Sequence, residues 1–138
     1  MIIKNNDATL NRPEGDRILD APYVFFDIRS ALNIIRNEKA WHEGDRNAIT
    51  TFKSDGLTIT VTALKKDAVV DKIQVEGFTT LQVLEGQVNI KTPDGNMKMI
   101  ATQVMVFHPS VQYTITALNE SSFLLSHYNS FSRSGDIL

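Results

Sequence analysis

The sequence predicts an all-β fold, a sandwich, barrel or jelly roll preceded by an N-terminal arm and one short helix. Three observations carry this prediction. From about residue 47 onward, apolar and polar residues alternate with a period of two, the spacing that sends successive side chains to opposite faces of a strand. Turn-forming residues interrupt the alternation at Ser54-Asp55-Gly56, Pro93-Asp94-Gly95, His108-Pro109-Ser110 and Leu118-Asn119-Glu120, so the strands are short and closely spaced. Only the stretch from about residue 27 to 41 has apolar residues at helical spacing.

Taken in order, residues 1–22 are polar, contain Pro13, Gly15 and Pro22, and read as an extended arm or loop. The apolar run YVFFDI, residues 23–28, reads as a short strand laid on the main body. In DIRSALNIIRNEKAW, Ile28, Ala31, Leu32, Ile34 and Ile35 make one helical face, with Asp27 or Ser30 available as N-cap. NAITTFK (47–53) and LTITVTAL (57–64) form a hairpin, the second strand setting Leu57, Ile59 and Val61 against Thr58, Thr60 and Thr62. Further strands are expected at 68–75, 78–84, 87–92, 97–100, 103–107, 111–117 and 122–128, and the tail FSRSGDIL reads as loose. The organisation is then an arm, strand and helix over residues 1–46 packed on a barrel of residues 47–138, one compact domain overall.

A chain of 138 residues can bury roughly two thirds of its unfolded surface without staples. Apolar residues at 42% and charged residues at 22% are ordinary for a globular protein. A net charge of −2 supplies no basic field for nucleic acid or an anionic lipid surface, so neither is expected as a partner. The chain has no cysteine, which removes disulfides and thiolate chemistry and agrees with a reducing compartment. Its first residues, MIIKNNDATLNRPEGDR, lack the apolar run of a signal peptide, and no stretch approaches the ~18 apolar residues of a membrane span. The expected location is the cytoplasm. No Ser-His-Asp order, glycine-rich phosphate loop or paired-carboxylate motif stands out.

LQVLEGQVNIKTPDG and VMVFHPSVQYTITAL together resemble the cupin superfamily, a small jelly-roll barrel, over about residues 57–128, most specifically at Val83-Leu84-Glu85-Gly86. The first motif of that family runs Gly, five residues, His, one residue, His, three or four residues, Glu, six residues, Gly. Counted back from Gly86, the Glu place holds Thr79, the two His places Val75 and Ile73, and the first Gly place Asp67. In the second motif the Gly, Pro, Gly, His and Asn places hold Thr102, His108, Ser110, Tyr113 and Ala117. The resemblance implies a cupin-type jelly roll in a degenerate form lacking the metal-ligand residues. Isoleucine and valine have no lone pair to give, threonine is a weak neutral donor, and a phenol ionises only near pH 10.

These positions define the candidate site. Alternation places Ile73, Val75, Thr79, Leu81 and Val83 on one face, which the resemblance identifies as the barrel interior. Tyr113 either donates a hydrogen bond to a ligand or fills the volume of the missing metal. Of the three histidines, His42 reads as a surface-loop residue and His108 as a hydrogen-bonded turn residue, while His127 is the remaining acid/base if it faces the barrel mouth. WHEGDRN (41–47) reads as a solvated loop or a lid, and LKKDAVVDK as a solvated strand rim. Three readings follow. The first is a metal-free, non-catalytic cupin without a cofactor, holding a small neutral or apolar ligand against Ile73, Val75, Thr79, Leu81, Tyr113 and His127, or closed by side chains. The second is a metal-independent isomerase or epimerase using His127 and Tyr113 as acid and base. The third is an interaction module, a homodimer in which the arm and YVFFDI pair with a neighbouring barrel edge.

Overall fold

A computed structural model describes residues 4–5 and 17–128 of the chain. Strand β1 (Lys4–Asn5) pairs antiparallel with β2 (Ile18–Asp20). Helices α1 (Ile28–Arg36) and α2 (Lys39–Glu43) follow, and then nine strands: β3 (Arg46–Lys53), β4 (Leu57–Leu64), β5 (Val69–Ile73), β6 (Thr79–Glu85), β7 (Gln87–Thr92), β8 (Gly95–Ile100), β9 (Val104–Phe107), β10 (Tyr113–Ala117) and β11 (Ser121–Tyr128). They form two antiparallel sheets, one ordered β5-β10-β7-β8 and the other β3-β4-β11-β6-β9. Strand β10 sits between β5 and β7, and β11 between β4 and β6, so neither is flanked by both its chain neighbours. This is the crossed connectivity of a jelly roll.

The inner faces meet in a core that includes Leu64, Leu81, Val83, Val88, Ile90, Ile115 and Phe123, all at most 1% exposed. A second cluster lies on the outer face of the five-stranded sheet, where Ala31, Leu32, Ile35 and Trp41 cover Ile49, Val61 and Ala63. This reverses the simplest reading of β4. Val61 belongs to the outer cluster under the helices, while Thr62 stands opposite the core residue Phe123 of β11. The apolar stripe of β4 thus serves the helix, and the strand is buried on both faces towards its C-terminal end.

Helix α1 is rich in β-branched isoleucine and only nine residues long, so packing rather than propensity holds it. Full burial of Ile35 alone contributes roughly 1.5–3 kcal/mol. Asp27 caps the helix, its Oδ1 accepting from Arg29 N at 3.0 Å and its Oδ2 from Ser30 Oγ at 3.3 Å. Asn47 ties the other end to β3, donating through Nδ2 to the Ile35 carbonyl at 2.9 Å and to Glu38 Oε1 at 2.8 Å.

Two local expectations change. Residues 21–27 form no strand, and Tyr23 and Phe25 point to solvent. Pro22 supplies no ladder donor, and Asp27 is committed to the cap, so the run becomes an irregular lead-in to α1. The single expected helix is two, because Asn37 ends α1 and the chain restarts at Glu38. Buried Trp41 anchors the second piece, with Arg36 5.9 Å and Lys65 5.0 Å from its ring. His42 is consequently a helical residue, although exposed as a loop residue would be. The tail FSRSGDIL and most of the arm lie outside the described residues.

Candidate functional site

The site is assembled by four strands. On β6, Thr79, Leu81 and Val83 all point inward, with Thr79 1% and Leu81 0% exposed. On β10, Tyr113 is 2% exposed and stands opposite Ile73 of β5. On β11, His127 stands opposite Thr79 and continues the inward row of Phe123 and Leu125. Ile73 is half-buried and packs on the core. Its strand is irregular: Lys72 takes φ +53°, and its N–H donates to Thr114 Oγ1 at 3.3 Å. The strand then ends, so Val75 lies beyond it, half-buried and outside the core cluster, its carbonyl accepting from Ser110 N at 2.7 Å. Five of the six residues expected to share the interior are thus brought together, and Val75 is not.

The interior is filled. The rings of Phe107 and Tyr113 stack with centroids 3.8 Å apart and 6° between planes. The Tyr113 hydroxyl is buried without a hydrogen-bond partner among the described residues, and burial pushes its pKa well above that of a free phenol. Thr79 Oγ1 lies 3.0 Å from His127 Nδ1, and partial burial lowers the imidazole pKa. The site therefore holds one neutral histidine bonded to a hydroxyl and one neutral, enclosed phenol. His108, exposed in its turn, makes a tilted ring contact with Phe78 at 4.9 Å.

Beside the Phe107–Tyr113 stack opens a cleft of about 420 Å³, lined by Ile90, Met97, Met105, Phe107, Val111 and the turn from Thr92 to Asn96. Its walls come from β7 and β8 on one sheet and β9 on the other. Sequence reasoning missed Met97, Met105, Phe107 and Val111. Met97 and Met99 share one strand face, yet Met99 is 2% and Met97 56% exposed. Only the position of the barrel mouth separates them.

No family model matches the chain, and no curated protein matches it. Solved structures do. A cupin superfamily protein from Desulfitobacterium hafniense superposes with a TM-score of 0.60 at 15% identity, over 62% of this chain and 78% of the other. An RmlC-like cupin from Shewanella frigidimarina gives 0.59 at 12% identity, over 68% and 83%. A conserved protein of unknown function from Streptococcus pyogenes gives 0.65 at 16% identity, over 83% and 94%. The fold is the cupin jelly roll.

The cupin motif positions keep their backbone where they have lost their letters. Gly86 has φ +80°, and the three other glycine places, Asp67, Thr102 and Ser110, have φ +72°, +75° and +68°. These are left-handed conformations that glycine adopts freely, aspartate tolerates, and β-branched threonine resists. The counted alignment is therefore written in the dihedral angles as well as in the spacing. The metal places do not fit a divalent ion. Ile73 and Val75 offer no donor, the Thr79 hydroxyl is engaged by His127, and Tyr113 stays protonated. Among the described residues no group of three or more histidine, aspartate or glutamate side chains converges.

Proposed function

We propose that this chain is a non-catalytic cupin that works without a metal and binds a compact, neutral, largely apolar molecule at the barrel mouth, in the reducing cytoplasm. The observation that carries the proposal is the cleft between β8 and β9, whose volume of about 420 Å³ lies within the usual range for small-molecule sites. Two flexible methionines give an adaptable apolar wall. Phe107 forms the floor, backed by the stacked Tyr113 ring, and the Thr92–Asn96 turn offers the polar groups. Ile73, Thr79, Leu81 and His127 support this floor from within.

Acid/base catalysis by His127 and Tyr113 is less well supported. The imidazole Nδ1 meets the Thr79 hydroxyl rather than a carboxylate that would orient it, and the phenol is enclosed with a raised pKa, far from the near-neutral value a general acid needs. Binding is tested with protein carrying ¹³C-labelled methionine methyls, titrated with a panel of small aromatic and aliphatic molecules. Movement of the Met97 and Met105 signals, lost on adding Phe107→Ala, is expected. A panel that leaves both signals still, or stoichiometric Mn, Fe, Ni or Zn in the purified protein, would overturn the proposal.

A further inference from the structure

The segment between β2 and α1 carries Tyr23 and Phe25, 91% and 92% exposed. Aromatic rings so fully in water are uncommon on a surface that has no partner. They border a groove of about 420 Å³ whose apolar wall includes Ile18, Ile34 and Ile49. Ile18 and Ile34 are themselves 55% and 47% exposed. Ile49 belongs to the cluster on the outer face of the five-stranded sheet, so the groove lies on the other side of that sheet from the barrel interior.

We infer that this face docks a second copy of the same chain, through a two-fold contact in which Tyr23 and Phe25 of each protomer enter the groove of the other. Three observations select this occupant. The patch contains both the projecting rings and the recess beside them, and an isologous interface requires a surface complementary to itself. Its charged groups are one cation, Arg17, and one carboxylate, Asp27, so the patch carries no net charge and two copies meet without net repulsion. The area is also of the right order. Two nearly fully exposed aromatics offer roughly 300–450 Å², about half of the ~800 Å² that each partner buries in a stable interface, and the isoleucines and segment 21–27 supply more. Because that segment is not a strand, the contact is made by rings in a groove rather than by a backbone ladder along a barrel edge.

Light scattering and sedimentation of the full chain, from micromolar to sub-millimolar concentration, test this directly. Wild type should be a dimer. Tyr23→Ser with Phe25→Ser should weaken the dimer by about 100-fold or more, the loss expected for two central aromatic anchors. The melting midpoint of wild type should rise with protein concentration, and that of the double variant should not. Ile34→Lys, a single change on the exposed face of α1, should weaken the dimer independently. A wild type that stays monomeric throughout, leaving the groove to another protein or a small molecule, overturns the inference. So does a dimer that survives either variant.

Discussion

Replacing Tyr113 by phenylalanine asks what a buried hydroxyl without a partner costs. Tyr113 is 2% exposed and its oxygen finds no hydrogen bond among the described residues. Leaving a buried hydroxyl unsatisfied costs about 1–3 kcal/mol. The phenylalanine ring keeps the stack on Phe107 and the pairing opposite Ile73, and only the small void left by the oxygen counts against it. The net expectation is a gain of about 1 kcal/mol, or roughly 3–5 °C in melting temperature for a domain of this size. Urea and thermal unfolding of the two proteins measure it. The pH dependence supplies a second reading. The folded phenol has a pKa raised above its unfolded value, so its protonated form favours the folded state below pH ~10. That contribution is lost as pH rises towards the folded pKa. Tyr113→Phe removes this alkaline decline. A loss of more than about 1 kcal/mol at neutral pH would refute the reasoning, because the hydroxyl would then have a partner worth keeping.

Other positions give sharper tests of single contacts. Burial lowers the pKa of His127 below that of a free imidazole, so the unfolded chain takes up its proton first and wild type loses stability as pH falls from about 6.5 through the folded value; the difference in urea midpoint between wild type and His127→Gln should change over that window and be constant above it. Gly86→Ala should cost about 3 kcal/mol or more, because φ is +80° and the new Cβ would strike the Glu120 carbonyl and the Ser121 hydroxyl; chemical unfolding reads the loss. Thr102→Gly should stabilise by about 0.5–1 kcal/mol, the relief of ~1–2 kcal/mol of left-handed strain less the entropy of a freer unfolded chain. Thr102 is exposed at φ +75°, so a loss of stability in the same assay would mean that its side chain makes a contact the fold needs.

Strands were legible because period-two alternation survives wherever one face is buried, as in β6 and β10. Which face is buried was less legible. The stripe Leu57, Ile59, Val61 of β4 reads as a barrel-facing row, yet Val61 lies under α1, because a covering helix makes an outer face as dry as an inner one. The strand expected at YVFFDI failed for a related reason: hydrophobicity alone does not distinguish a residue buried in its own chain from one left on the surface. The motif spacing put Ile73, Thr79 and Tyr113 in one region, and alternation along the strand added Leu81. It could not foresee the irregularity at Lys72 or the end of β5 at Ile73, which leaves Val75 outside the strand. The cleft was invisible because its walls, β8 and β9, belong to different sheets, and local periodicity carries no information about how two sheet edges approach.

The two surfaces assigned to binding are physically separate, and this bears on what the fold can do. The cleft is walled by β9, one edge of the five-stranded sheet, and the arm groove by β3, the opposite edge. Three strands lie between them, so the edges are roughly 19 Å apart at the usual strand spacing. The intervening residues Val61, Leu81 and Phe123 are at most 1% exposed, and close-packed interiors of this kind deform little. Coupling between the surfaces would need an element with two alternative packings, and a dry sheet locked by the Phe107–Tyr113 stack on one side and by Trp41 and Ile35 on the other offers none. Self-association through Tyr23 and Phe25, as proposed, would therefore leave the cleft at Met97 and Met105 open in both protomers, and a dimer formed in this way would present two independent clefts.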